Sequence, residues 1–279
     1  MSVDFAGASP STIDPLPPAP RLGQQLAQYV WDAFVVAEIE VRKLRHDPTE
    51  LLTRAIQPAL WLVIFGKAFE RIRAISTGNV DYLAFMTPGI LAQSVMFIAI
   101  FYGLSIIWDR DQGILGKLLV MPVPRSSFVT GKALGAGVRA LSQALVVFVL
   151  ALLLGVQIHW SVVGIVGTLL AVLAGAGFFA TLSMLIAILV KTRERFMGMG
   201  HVITVPLFFA SNAIYPIAIM PGWLQVVARV NPLSYVVDLL RGYLLYGHVD
   251  AAVTDWAVLL GALVVAQVVA GRYYHAIMQ

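Results

Sequence analysis

Apolar residues in this chain arrive in blocks of about twenty, separated by short polar stretches. That is the length a helix rising 1.5 Å per residue needs to cross a hydrocarbon core about 30 Å thick. Six spans are predicted, over residues 51–69, 84–108, 133–154, 162–190, 200–219 and 255–273. Pro58 is expected to kink the first, and Lys67, near its end, can snorkel to the interface. The fourth exceeds what a bilayer requires and should tilt or extend beyond it. It carries Gly164, Gly167, Gly175 and Gly177, and the last two with Ala171, Ala174 and Ala176 form a small-residue face suited to close helix packing.

Ahead of the spans, residues 26–46 change period. Val30, Phe34, Ala37 and Val41 recur at helical spacing against Gln28, Asp32, Glu38, Glu40, Arg42 and Lys43, which predicts an amphipathic helix lying on the membrane surface. Residues 1–25, with Pro10, Pro15, Pro17, Pro18 and Pro20 among small side chains, read as a disordered cytoplasmic tail. The fold expected is therefore all-α, one membrane domain over residues 26–279.

Composition agrees with the pattern: 59% hydrophobic and 12% charged residues, with a mean hydropathy of +0.83, exclude an ordinary soluble domain. The net charge of +4 does not form one patch; its basic residues flank the apolar blocks. Counted by side, most fall where both termini are cytoplasmic. Lys67, Arg71 and Arg73 run against that count, and an odd number of spans is the alternative.

Candidate chemistry is sparse. The span interiors hold no Asp or Glu, the titrating groups a proton-driven antiporter would use; that class stays as an alternative. Gln57, Gln93, Gln143, Thr181, Ser183, His201, Asn212 and Gln267 can bridge helices or line a path. The five histidines are scattered, and no cysteine is present, so thiolate metal sites and cysteine nucleophiles are excluded. Gly131-Lys132 lacks the earlier glycine of a phosphate loop, with Ser126 in its place, and Ala133 stands where a magnesium ligand belongs. The chain therefore cannot by itself be a P-loop ATPase.

One polar stretch is more than a linker. From Trp108 to Arg125, Leu115, Leu118 and Leu119 fall at helical spacing, Asp109 and Asp111 precede them, and Pro122 and Pro124 close the run. A short amphipathic helix projecting from the membrane is predicted. Further along, residues 215–247 interrupt an apolar run with Pro216, Pro221, Gly222, Asn231 and Pro232. They then place Tyr235, Asp238 and Arg241 three apart on one helical face. A re-entrant or surface helix pair before the last span fits this, acting structurally, as an external gate, or as both.

These segments resemble the permease subunits of ABC-2 type exporters, especially the daunorubicin-resistance and multidrug group. Asp109, Arg110, Asp111, Gly113, Leu115, Lys117, Leu118, Leu119, Pro122, Val123 and Arg125 fit the family's loop, from which Ile114 and Gly116 depart. Pro88-Gly89-Ile90 resembles the opening of the family's second span. Trp223, Leu224, Asn231, Pro232, Leu233, Ser234, Tyr235, Asp238 and Arg241 resemble the segment before its last. The resemblance implies a permease that pairs with a second permease and with a cytoplasmic ABC ATPase docked at the loop, in the plasma membrane, moving drugs or lipid-like amphiphiles outward. A polysaccharide or teichoic-acid exporter of the same family is the alternative. Phe97, Phe101, Tyr102, Phe208, Phe209 and Asn212 are the candidates for lining the path.

Overall fold

The computed structural model of the protein describes residues 48–72, 80–112, 125–190 and 192–277, preceded by isolated helical positions at Trp31, Phe34, Val35, Glu38 and Arg42. Among the described residues every regular element is helical. Four helices are long and apolar enough to cross a membrane, over Tyr82–Tyr102, Val129–Leu153, Val162–Ala187 and Ala252–Tyr273. They fall on the second, third, fourth and sixth expected spans.

The remaining two expected spans take other forms. The first is α1 (Pro48–Leu60), one π-helical stretch (Trp61–Gly66) and α2 (Lys67–Ile72). Its apolar part, Ala55–Phe69, is shorter than the four long helices. The π stretch follows Pro58, whose ring removes a backbone donor inside the helix. After α3 (Tyr82–Tyr102), α4 (Leu104–Asp111), α5 (Arg125–Leu153) and α6 (Val162–Leu189) comes α7, Arg193–Phe209. At 17 residues α7 is about 26 Å long, starting before and ending well before the expected bounds of 200–219.

α7 stops at Phe209 because its final carbonyls are taken by groups from elsewhere rather than by another helical turn. The Asn231 amide donates to the carbonyls of Leu207 (2.7 Å) and Ala210 (3.1 Å), and the Ser211 hydroxyl donates to that of Phe208 (2.7 Å). The apolar residues after it form a turn and a short 3-10 segment, Ile217–Ile219. Then follow α8 (Gly222–Val230), α9 (Pro232–Arg241), a second π stretch (Gly242–Tyr246) and α10 (Ala252–Ile277).

Burial sorts these helices into inner and outer. The membrane-length window of α3 is 89% buried and that of α10 only 17%, so α3 is the centre of the bundle and α10 its most exposed long helix. α6 packs on α3, α5, α9 and α10. Its Gly175 lies beside Val236 of α9 and its Gly177 beside Leu263 of α10, which turns the small-residue face toward those two helices. At two further glycines the approach leaves no room for a side chain. A Cβ at Gly89 would collide with the backbone carbonyl of Ala213, and one at Gly103 with the hydroxyl of Ser183. That hydroxyl donates to the Ile100 carbonyl and so fastens α6 to the end of α3.

Of the surface helix expected over residues 26–46, five positions are described. Trp31 and Phe34 are exposed with their rings 6.4 Å apart, and Glu38 pairs with Arg42 at 2.8 Å. Its other positions and residues 1–25 lie outside the described residues.

Candidate functional site

Ser94, Phe97, Ile98 and Phe101 share one face of α3, at the three-four spacing of an α-helix. Opposite them stand Thr53, Gln57 and Pro58 of α1, Gln143 of α5 and His201 of α7. Between these four helices is a cavity of about 530 Å³, within the range of small-molecule sites. Its apolar wall is built from stacked rings: Phe97 and Phe101 are 5.9 Å apart at 27°, and Phe101 meets the His201 ring at 5.0 Å. Its polar lining offers the side-chain amides and hydroxyls of Gln57, Gln143, Thr53 and Ser94. Such a surface holds an apolar body while hydrogen-bonding its polar edge.

Of the six residues expected to line a path, Phe97 and Phe101 do line the cavity and the other four lie elsewhere. Tyr102 is buried on another side of α3, with the Lys132 ammonium 5.4 Å and the Arg139 guanidinium 5.3 Å from its ring centre. Phe208 and Phe209 pack on Trp61 at 5.5 and 6.4 Å, and Asn212 belongs to the latch described next. Thr53, Ser94 and Ile98 are lining residues the sequence reading missed. For Ser94 and Ile98 the signal was available in their spacing from Phe97 and Phe101. Among the other polar candidates, Gln267 donates to Thr181 (3.0 Å) across α10 and α6, a packing role.

A latch holds α9 against the turn after α7. The Asn212 amide donates to Asp238 at 2.6 Å. The buried Arg241 donates to the Asn212 carbonyl (2.8 Å) and the Phe85 carbonyl (3.4 Å), lies 3.6 Å from Asp238, and stacks on the Phe85 ring. Asn231 caps α9 by accepting from the Leu233 backbone (3.0 Å) while its amide holds the end of α7, and Pro232 takes the first helical position. The Tyr235 hydroxyl donates to the Arg229 carbonyl at 2.5 Å, joining α9 to α8. Of the five residues expected at the gate, Asp238 and Arg241 are thus joined through Asn212, while Asn231, Pro232 and Tyr235 fix the start of α9 against α7 and α8.

At the other end of the bundle α4 meets α7. Asp111 accepts from Arg193 at 3.1 Å, and the Arg193 guanidinium lies 4.8 Å from the centre of the Trp108 ring. Asp109 and Arg110 fall on α4 and Arg125 begins α5. Gly113, Leu115, Lys117, Leu118, Leu119 and Pro122, the rest of the expected docking loop, lie outside the described residues.

The sequence matches the ABC-2 type transporter family over residues 33–245, most of the chain and all of the cavity and latch. The chain belongs to that family. Its relatives include the ycf38 transport permease of Cyanophora paradoxa, 32% identical over 82% of this chain and 80% of the relative. The daunorubicin resistance ABC transporter permease protein DrrB1 of Streptomyces coeruleorubidus is 27% identical over 71% and 69%. Nodulation protein J of Rhizobium leguminosarum bv. trifolii is 28% identical over 71% and 74%. This ABC-2 permease is accordingly a multi-pass membrane protein with a role in transport, and members of its family normally work with an ABC ATPase.

Proposed function

We propose that the chain is the membrane-spanning subunit of an ATP-driven exporter that carries drug-like or lipid-like amphiphiles outward through the plasma membrane. The observation that carries this reading is the cavity between α1, α3, α5 and α7, with stacked aromatic rings on one wall and uncharged hydrogen-bonding groups on the others. A DrrB1 relative named for drug resistance supports the same substrate class.

In this reading α1 with α2 forms the first of six crossings and α7 the fifth, with both termini cytoplasmic. The latch end then faces outward, and α8 with α9 forms the external gate. The loop from Asp109 to Arg125 docks a separate ABC ATPase, which binds ATP and magnesium, and a second permease, identical or a sister chain, completes the path. Closure of the ATPase pushes on that loop and moves α3 against α7, changing which side the cavity opens to.

Inverted membrane vesicles holding the permease and its ATPase test the reading: they should take up an amphipathic dye only with ATP, and Leu115→Asp or Leu118→Asp should abolish copurification of the ATPase. Uptake driven by a pH gradient without ATP would sink it.

A further inference from the structure

At the end of the bundle opposite the Asp111–Arg193 pair lies a second, smaller cavity of about 240 Å³, separate from the first. α9 contributes Asp238 and Arg241, the π stretch Tyr246, the following turn His248 and Asp250, and the first turn of α10 Asp255. Three carboxylates thus border one small space.

The cations present do not balance them. Arg241 is committed to Asp238, to two backbone carbonyls and to the Phe85 ring. His248 stands 3.3 Å from Asp250, and both are well exposed, so water screens that pair.

Asp255 is different. It is only 5% exposed, yet it lines the cavity, and among the described residues its carboxylate makes no hydrogen bond and no ion pair. Its position in the first turn of α10 gains from the helix dipole, which accounts for an acid there. A partial charge does not by itself offset a largely buried carboxylate close to that of Asp238, and a charge held there without a partner is unfavourable.

A cation is the partner that would hold this carboxyl ionised, and its chemistry is narrowed by the rest of the site. Among the described residues no group of His, Asp and Glu is close enough together to hold a metal ion. The Tyr246 ring beside the carboxylates suits an organic cation. The volume is below that of a drug-sized site, so a head group fits and a whole drug does not.

We propose that this cavity binds a protonated primary amine, with Asp255 as its counter-ion, Asp238 adding attraction, and Tyr246 covering the ammonium. The amine can be a free solute or the head of an amphiphile; the recognition chemistry is the same.

The test uses the complete permease–ATPase complex in lipid nanodiscs, with n-propylammonium chloride as probe and sodium chloride and tetramethylammonium chloride at equal ionic strength as controls. Propylammonium should raise the unfolding temperature saturably, by a few degrees, with neither control doing so. Asp255→Asn should abolish the rise, and Asp111→Asn, at the far end, should leave it intact. Should Asp255→Asn fail to assemble, Tyr246→Leu should weaken the apparent affinity about two- to fivefold. An equal rise with sodium, a rise insensitive to both Asp255→Asn and Tyr246→Leu, or no rise in the parent protein overturns the proposal. Dodecylammonium separates the sources: an Asp255-dependent affinity tenfold or more above that of propylammonium assigns the site to amphiphile head groups, and equal affinity assigns it to soluble amines.

Discussion

Arg241 lies flat on the ring of Phe85, its guanidinium carbon 3.8 Å from the ring centre. The same group reaches past the ring to the carbonyls of Phe85 and Asn212, so one buried side chain ties α9 to the start of α3 and to the turn after α7. Replacing it with Met keeps the apolar contact but leaves Asp238 with the Asn212 amide alone and takes the side-chain donor from the Asn212 carbonyl. Arg241→Met should cost about 2 kcal/mol, less than a fully buried broken pair, because Asp238 retains some water. Arg241→Lys should recover only part of that loss, since an ammonium cannot stack and fork at once. Thermal unfolding in nanodiscs measures both, and a Met variant as stable as the parent would remove the latch from the account.

Gly89 and Gly103 are both places where a neighbour occupies the space of a side chain, but the neighbours differ. The obstacle at Gly89 is backbone, and at Gly103 it is the hydroxyl and Cβ of Ser183 with the Phe196 ring close by. Gly89→Ala should therefore destabilise by roughly 3 kcal/mol and Gly103→Ala by roughly 2, because rotating Ser183 moves its hydroxyl but not its Cβ and gives up the bond to Ile100. The order of the two unfolding temperatures is the result to read, and the reverse order would refute the packing argument.

The Asp111–Arg193 pair is about half exposed on both sides, so breaking it should change stability by less than ~1 kcal/mol. Its expected effect is on coupling, because it holds α4, the stem of the proposed docking loop, to α7. Arg193→Asp should lower dye-stimulated ATP hydrolysis severalfold, and the exchange Asp111→Arg with Arg193→Asp should restore most of it. A double-mutant cycle on the hydrolysis rate shows whether the two effects are linked.

Phe101 meets both Phe97 and His201 at the cavity wall. Phe101→Ala should raise the KM for an aromatic amphiphile about tenfold, a loss of ~1.4 kcal/mol. Tyr102→Phe, the next position along the chain but outside the cavity, should leave KM unchanged. Transport assays at several dye concentrations separate the two.

The four long helices were legible because about twenty apolar residues in a row have one physical reading in a single chain. The end of α7 was not, since the run from Gly200 to Ile219 is as apolar as a span. What stops the helix is Asn231, more than twenty residues further on, whose amide takes its last carbonyls. Phe97 and Phe101 could be chosen from aromatic content and helical face. Phe208 and Phe209, of the same chemistry, point at Trp61 instead, and only the placement of α1 decides between those outcomes. Asp238 and Arg241 were readable as a pair from their spacing. The contact of Arg241 with Phe85, 156 positions away, had no local signature, and Asp255 entered only as the first residue of the sixth expected span.

Gly103 is the single non-helical position between α3 and α4. From Asp111 back to Phe101 is a stem of about 15 Å at helical rise, and it carries one articulation. The wall of the cavity and the root of the loop are therefore two lengths of helix joined at Gly103. A displacement applied at the Asp111 end would reach Phe101 through covalent backbone and that one articulation.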